Sequence, residues 1–185
     1  IDKGEIILGL DASFPPMGFK DENNTIVGFD IDVAQEVCKR MNIKLKLQPI
    51  VWKNKENELN AANIDCVWNG MSYSDERAEK MTLSKPYMNN SMVLVVLKNS
   101  GYKTQADLKD KKIAVQNGST AQEILDASDF KKTVKEVIPL EDNSAAFVEL
   151  EMKTVDAVFV DVIVADYYIT ANNKNFEVLP EGLEE

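Results

Sequence analysis

The chain has 185 residues, 44% of them hydrophobic and 28% charged, a composition typical of one or two compact globular domains. Its formal net charge is -10, so its surface repels phosphate backbones and anionic headgroups, and we expect neither nucleic acid nor a membrane surface as a partner. The absence of histidine excludes Ser-His-Asp and Cys-His catalytic arrangements, HExxH zinc sites and histidine-ligated haem.

Short β-branched runs alternate with segments of helical period along the chain, which predicts an α/β fold with a mostly parallel sheet. Residues 21–24 predict a hairpin turn. Apolar residues at three- and four-residue spacing predict a helix over 30–41, with Asp30 as its N-terminal cap. The strands predicted in chain order are Glu5–Leu10, 44–47, 64–68, Met92–Leu97, Lys112–Gln116, 134–138, 156–160 and 176–179.

The two cysteines, Cys38 and Cys66, lack CxxC spacing and are too few for a four-cysteine metal site. We expect both to be buried small hydrophobes, and a single disulfide between them stays open. The glycines form neither GxGxxG nor GxxxxGK[ST], so we expect no nucleotide cofactor, and no other cofactor is indicated.

An internal repeat suggests two similar α/β units. Glu-Leu at 58–59 and IDCVW at 64–68 align with Glu-Leu at 149–150 and VDAVF at 155–159, at a constant offset of 91 residues. This offset matches Gly70 with Asp161, each just beyond the carboxyl end of a predicted strand, where open α/β sheets bind ligands. The alternative is that short helix–strand units resemble one another in any α/β fold.

Two segments that follow predicted strands are candidates for ligand contact. At 118–120, Ser119 or Thr120 caps a predicted helix over 121–127, whose N-terminal N–H groups can bind an anion. At 69–77, a glycine-containing turn leads to Arg77, whose guanidinium matches a carboxylate. The alternatives are an ordinary helix cap in the first case and a surface ion pair of Arg77 in the second.

Together these stretches resemble the extracytoplasmic solute-binding proteins of polar amino-acid ABC transporters, the bacterial family 3 type. The resemblance covers essentially the whole chain, and the matching stretches occur in the family's order. They are DASFPPM at 11–17, GFDIDVA at 28–34, GMS at 70–72 with ER at 76–77, LSKPY at 83–87, DLKDKKI at 107–113, QNGST at 116–120 and VDAVFVD at 155–161.

The resemblance implies a two-lobed α/β fold of the periplasmic-binding-protein-like type II, with a ligand cleft between the lobes. We expect lobe 1 over 1–91 and lobe 2 over 92–179, with Met92–Leu97 and 176–179 as a two-strand hinge. Residues 180–185 would begin a return to lobe 1. The family normally continues through further helices, so we expect an incomplete lobe 1 unless a complementing chain or fusion partner supplies them.

The resemblance also implies how an amino acid is held, because a zwitterion enclosed in a dry site needs opposite charge at both ends. Arg77 would pair with the α-carboxylate, helped by N–H groups at Ser72 and Thr120, and Asp161 would take the α-ammonium. The Ser72 hydroxyl and the turn at Gly70 would share the ammonium. The further candidate ligand-binding residues are Asp11, Phe14, Trp52, Asn69, Gln116 and Ser119.

The ligand side chain would lie between Phe14 and Trp52, with Asp11 at its far end, which favours a basic amino acid and arginine first. Glutamine or another polar amino acid is an alternative ligand. The alternative for the three residues is structural: Phe14 and Trp52 would belong partly to the core, and Asp11 would turn a loop. The implied partners are a free amino acid and an ABC-transporter permease. The implied location is extracytoplasmic, either periplasmic or lipid-anchored outside a Gram-positive cell. Alternatives are the ligand-binding domain of an amino-acid sensor and a dehydratase-like enzyme on the same fold.

Overall fold

The computed structural model describes residues 4–180 and 182–183, and the chain divides into unit 1, Ile1–Asn89, and unit 2, Asn90–Glu185. The sequence places the boundary slightly later, after residue 91. The elements of unit 1 are β1 Glu5–Leu10, β2 Ser13–Phe14, β3 Gly18–Lys20, β4 Ile26–Val27, α1 Phe29–Met41, β5 Lys44–Pro49, α2 Lys55–Asn60, β6 Cys66–Val67 and α3 Asp75–Lys80.

Unit 1 contains a parallel sheet of order β5-β1-β6 and a small antiparallel sheet of order β2-β3-β4. The turn at 21–24 joins β3 to β4, as predicted, and Asp21 Oδ1 accepts hydrogen bonds from the N–H groups of Asn23 and Thr25. The core of the parallel sheet lies against α1 and is made by Leu8, Leu10, Ile31 and Ala34.

The predicted helix over 30–41 is present as α1, but the prediction that Asp30 caps it is wrong. Gly28 is the N-cap, and the first N–H groups of the helix donate to main-chain carbonyls: Phe29 N to Pro16 O at 3.0 Å and Asp30 N to Met17 O at 2.9 Å. At φ 134° a β-carbon on Gly28 would lie 2.4 Å from Met17 O, so this entry requires glycine. Asp30 instead lies fully buried in the first turn.

The elements of unit 2 form one five-stranded sheet of order β11-β7-β10-β8-β9 with helices packed on it. The pairs β10–β8 and β8–β9 are parallel, whereas β7 is antiparallel to both β10 and β11. These elements are β7 Met92–Leu97, β8 Lys112–Gln116, α4 Thr120–Ala127, β9 Glu136–Leu140, α5 Asn143–Glu151, β10 Ala157–Asp161, α6 Val162–Asp166 and β11 Phe176–Val178.

Each of the eight predicted strands has a counterpart in the structure, and three have the predicted bounds: β1, β7 and β8. β9 runs through Pro139 to Leu140, beyond the predicted end at 138, because a proline is tolerated on an edge strand. β7 and β11 pair as the hinge hypothesis requires, while their role as a hinge stays a prediction. Residues 181, 184 and 185 of the expected return to lobe 1 lie outside the described residues, and Leu183 packs against the unit 2 core.

The repeat corresponds to the same helix–turn–strand geometry in both units. After α2, Asn63 N donates to Glu58 O at 3.0 Å, and after α5, Thr154 N donates to Glu149 O at 3.0 Å. Each donor is five residues beyond its acceptor, and the two turns are 91 residues apart. The two aligned stretches therefore share the same local helix–turn–strand geometry.

An aspartate at the start of the repeat's strand holds the neighbouring strand in both units. Asp65 N donates to Ile7 O at 2.8 Å and Asp65 Oδ2 accepts from Ile7 N at 2.6 Å. Asp156 N donates to Lys112 O and Asp156 Oδ2 accepts from Lys112 N, both at 2.9 Å. The carboxylate thus satisfies a main-chain donor at the point where regular strand pairing begins.

Cys38 and Cys66 are both free and line the same apolar cavity of about 210 Å³ in unit 1. Cys38 is buried, as predicted, whereas Cys66 is only partly buried. Burial raises the pKa of the Cys66 thiol to about 11, so this thiol is protonated at neutral pH. Among residues 4–180 and 182–183, no helix is long and apolar enough to cross a bilayer, and no cluster of three acidic or cysteine side chains is placed to hold a metal.

Replacing Asp156 by Ala should destabilise unit 2 by roughly 1.5–3 kcal/mol, because the partly buried carboxylate loses hydrogen bonds from Lys112 N and from the Tyr102 hydroxyl at 2.7 Å. Urea unfolding followed by circular dichroism measures this loss. The matched control is Asp129→Ala, which removes a solvent-exposed carboxylate paired with Lys132 and should change stability little. Equal effects of the two substitutions would contradict the role assigned to Asp156.

Replacing Asp30 by Asn should improve stability more at pH 7 than at pH 3.5. Burial raises the pKa of Asp30 above its ordinary value, so the fold favours the protonated carboxyl. The stabilisation that the protonated Asp30 carboxyl contributes is fully present below its unfolded-state pKa, and it is lost as the pH rises through its folded-state pKa. Asparagine keeps an acceptor oxygen and carries no charge. Urea titrations of both proteins at the two pH values test this, and a constant difference would contradict it.

Candidate functional site

In unit 1, the predicted ligand-binding residues follow the carboxyl ends of three parallel strands. Asp11 follows β1, Trp52 follows β5, and Asn69 and Gly70 follow β6. Because parallel strands end at one edge of a sheet, these side chains share that edge. Asp11, Trp52 and Asn69 are all buried, so the structure gathers this part of the predicted set at one place.

Asn69 ties two of these strand ends together. Its Oδ1 accepts a hydrogen bond from Asp11 N, and Asp11 Oδ1 in turn accepts from Ser13 N at 2.8 Å. Within the described residues, Asn69 Nδ2 is buried without a hydrogen-bond acceptor. A buried amide donor of this kind is costly unless something accepts from it.

Phe14 and Gly70 are in close contact. Gly70 has φ +58°, and a β-carbon there would lie 3.3 Å from Phe14 Cε1 and 3.3 Å from Met17 Cγ. Glycine is therefore favoured both by the left-handed backbone and by the close approach of the aromatic ring, which would have to shift to admit a β-carbon. The Phe14 side chain is buried, which agrees with a role in the core, and it also contacts the turn at Gly70.

Trp52 already has a cation over its ring. The Nζ atom of Lys55 lies 5.0 Å from the ring centroid, and both side chains are buried. This distance is within the range of a cation–π interaction. Lys55 was not predicted as a neighbour of the Trp52 ring, because the spacing from 52 to 55 indicates only one helical turn.

Arg77 lies in the first turn of α3 and is 2% exposed. Its Nη1 donates to Ser72 O at 2.9 Å, and its main-chain N donates to Ser74 Oγ at 3.3 Å, which caps the helix. Arg77 is therefore an interior side chain, although its charge also acts on Glu76. Its guanidinium is joined to the turn that contains Gly70 and Ser72.

In unit 2, Gln116 and Asp161 end the adjacent parallel strands β8 and β10, so they share one sheet edge. Gln116 is buried, and its Oε1 accepts from Asn143 Nδ2 at 3.2 Å. Asp161 is 7% exposed, and its Oδ1 accepts from Asn90 Nδ2 at 2.5 Å. Asn90 and Asn143 were not predicted, because Asn90 lies 71 residues from Asp161 and Asn143 lies 27 residues from Gln116.

Ser119 and Thr120 begin α4 immediately after Gln116. Ser119 is the cap: its Oγ accepts from Gln122 N at 3.1 Å, while Thr120 is the first residue of the helix. Gly118, with φ +72°, donates its N–H to Gln122 Oε1 at 2.7 Å. These contacts fix the backbone of the turn between β8 and α4.

Comparison with known proteins identifies a family. Residues 6–138 match the family model of bacterial extracellular solute-binding proteins, family 3. The chain is 34% identical over 168 residues to ABC transporter arginine-binding protein 1 of Escherichia coli (strain K12), a match that covers 91% of this chain and 68% of that protein.

Solved structures agree with this match. A substrate-binding protein of an ABC uptake transporter from Streptococcus pneumoniae, with bound histidine, has a TM-score of 0.95 and 36% identity over 99% of this chain and 77% of its own. The arginine-bound form of a truncated ArgBP from T. maritima has a TM-score of 0.90 and 33% identity over 99% and 85% of the two chains. The chain therefore belongs to the bacterial extracellular solute-binding proteins of family 3, with the two-lobed type II fold.

Proposed function

We propose that this chain binds a free L-amino acid, basic or polar with arginine favoured, outside the cytoplasm and delivers it to an ABC-transporter permease. The observation that carries the proposal is the burial of two opposite charges, Arg77 in α3 after strand β6 and Asp161 at the end of strand β10, in a chain that belongs to a family of solute-binding proteins. A free amino acid has an α-carboxylate that can pair with Arg77 and an α-ammonium group that can pair with Asp161. Binding without catalysis accords with the absence of histidine from the chain.

The carboxylate end of the ligand is assigned to Arg77, Ser72 and the start of α4. A buried guanidinium is costly unless its donors meet acceptors, and its planar fork suits a carboxylate in two parallel hydrogen bonds. Arg77 Nη1 already donates to Ser72 O, which aligns the side chain with the Ser72 turn. The main-chain N–H of Thr120, at the N-terminus of α4, is a donor of the kind that helix ends present to anions.

The ammonium end is assigned to Asp161, with the turn at Gly70 and the Ser72 hydroxyl. Asp161 is a buried carboxylate whose Oδ1 is already held by Asn90, so the carboxylate is oriented before a ligand arrives. Such preorganisation lowers the entropy lost on binding. An ammonium group is the cation that a free amino acid supplies.

The ligand side chain is assigned to Asp11, Phe14, Trp52, Asn69 and Gln116. Asp11 offers a buried carboxylate to a basic side chain, and similar proteins are named as binding arginine or were solved with arginine bound. Asn69 Nδ2 and the Gln116 amide offer polar groups as well. Arginine, with its long stem and planar cation, uses both the aromatic and the acidic residues.

A neutral polar amino acid is the second candidate, because Lys55 Nζ already lies 5.0 Å over the Trp52 ring. A ligand cation stacked on the same ring would meet a like charge at short range in a buried setting. A similar structure with bound histidine has 36% identity to this chain. The balance between Asp11 and Lys55 therefore decides which side chains are accepted.

A thermal-shift screen against the twenty amino acids, ornithine and cystine should identify the ligand class. Ligand at about 100 times its dissociation constant should stabilise the fold by about 2.7 kcal/mol. Stabilisation by arginine above glutamine and histidine supports the first candidate, and the reverse order supports the second. No stabilisation by any of these compounds would contradict the proposed function.

Replacing Arg77 by Ala should weaken binding of the best ligand by roughly 2–5 kcal/mol, as for the loss of one partner of a buried charge pair. Isothermal titration calorimetry measures the change. The chain offers a matched control in its other arginine, Arg40, whose side chain is 77% exposed and paired with Glu36. Arg40→Ala should leave affinity unchanged. Unchanged affinity of Arg77→Ala would exclude the assignment of the carboxylate.

A further inference from the structure

The hydroxyl group of Tyr87 joins two parts of unit 1 that lie far apart in the sequence. It accepts a hydrogen bond from Gly70 N at 3.1 Å and donates to Asp30 Oδ1 at 2.8 Å. Tyr87 follows Pro86 in a stretch without helix or strand between α3 and β7. It belongs to the LSKPY stretch of the sequence, to which no role in the site has been given.

Asp30 orients the O–H bond of Tyr87. The side chain of Asp30 is fully buried at the start of α1, where a carboxylate requires donors. Burial and the neighbouring Asp30 raise the pKa of Tyr87, so the phenol keeps its proton and donates it to Asp30. Its oxygen lone pairs are then left to accept the N–H of Gly70.

The hydrogen bond from Gly70 N to the Tyr87 hydroxyl restrains a flexible residue. Its left-handed backbone, at φ +58°, has no side chain to fix it, and glycine has more conformational freedom than any other residue. A hydrogen bond to its N–H fixes the peptide plane that precedes it. The same turn continues to Ser72, whose carbonyl accepts from Arg77.

We propose that Tyr87 is a positioning residue of the amino-acid site: its hydroxyl, held by Asp30, fixes the Gly70 turn in the orientation that meets the ligand. This inference rests on the proposed function, in which the Gly70 turn contacts the ligand ammonium. Tyr87 acts through Gly70 and does not itself need to contact the ligand. The Tyr87 hydroxyl thereby connects the start of α1 with the Gly70 turn, beside the direct interaction of the Gly70 N–H with the Asp30 carboxyl.

Tyr87→Phe removes only the hydroxyl and tests the inference. We expect ligand affinity to fall about fivefold, as for the loss of one net hydrogen bond from a preorganised site. We also expect the Gly70 amide to exchange its hydrogen faster in the ligand-free protein. Calorimetry with the best ligand of the thermal-shift screen and exchange followed by NMR give the two readouts.

Tyr102→Phe is the matched control, because the Tyr102 hydroxyl donates to Asp156 Oδ1 at 2.7 Å in unit 2, away from the assigned residues. It should lower stability to a comparable degree while leaving affinity and the exchange of Gly70 unchanged. Asp30→Asn is the conservative variant: it keeps an acceptor oxygen for the Tyr87 hydroxyl, so affinity should fall less than in Tyr87→Phe.

The outcomes separate this inference from the proposed function. If the wild-type protein binds an amino acid and Tyr87→Phe binds it equally well, or Gly70 exchange is unchanged, the positioning role is overturned. If affinity falls equally in Tyr87→Phe and Tyr102→Phe, the effect is one of general stability and the inference is again overturned. A wild-type protein that binds no amino acid overturns the proposed function, and the ligand-positioning role with it.

Discussion

The structure depends on one constraint, that parallel strands which share a sheet end at the same edge. In unit 1 this constraint brings Asp11, Trp52 and Asn69 together from positions that span most of the unit's sequence. In unit 2 it brings Gln116 next to Asp161. The aspartate at the start of each repeated strand sets the register, because its carboxylate and its N–H bind the N–H and C=O of one residue on the neighbouring strand. A shift of register would break both bonds and move the site residues.

Buried charge distinguishes the assigned residues from ordinary core. Arg77, Asp161 and Asp11 are each less than a tenth exposed, and every one is hydrogen-bonded to the backbone or to an amide side chain: to Ser72 O, Asn90 Nδ2 and Ser13 N. Such contacts orient a charged group. A buried charge is costly unless opposite charge and hydrogen bonds compensate it, and this cost is the physical basis of the proposal that these residues hold a zwitterion.

Local patterns in the sequence predicted most of the fold but few of the contacts that orient the site. The β-branched runs predicted β1, β7 and β8 with their bounds, because burial on both faces leaves a continuous apolar run. The cap at Asp30 was wrong because carbonyls of Pro16 and Met17 bind the first N–H groups of α1, and no side-chain pattern encodes main-chain capping. Tyr87 and Asn90 escaped prediction because their partners, Asp30 and Asp161, lie 57 and 71 residues away. Residue roles at the site rested on resemblance to a family, which local physics alone would not have supplied.

The hydrogen bonds of Tyr87 with Gly70 and of Asn90 with Asp161 involve matched positions of the repeat. Gly70 and Asp161 occupy matched positions, 91 residues apart, each just after its strand or at its end. Gly70 is tethered by Tyr87, the last aromatic residue before unit 1 ends, and Asp161 by Asn90, the first residue of unit 2. Two side chains three positions apart, on the segment where the chain passes from one unit to the next, therefore orient the matched position of each unit. A change in the backbone of that segment that displaces either side chain would therefore weaken the hydrogen bond of Tyr87 to Gly70 or that of Asn90 to Asp161.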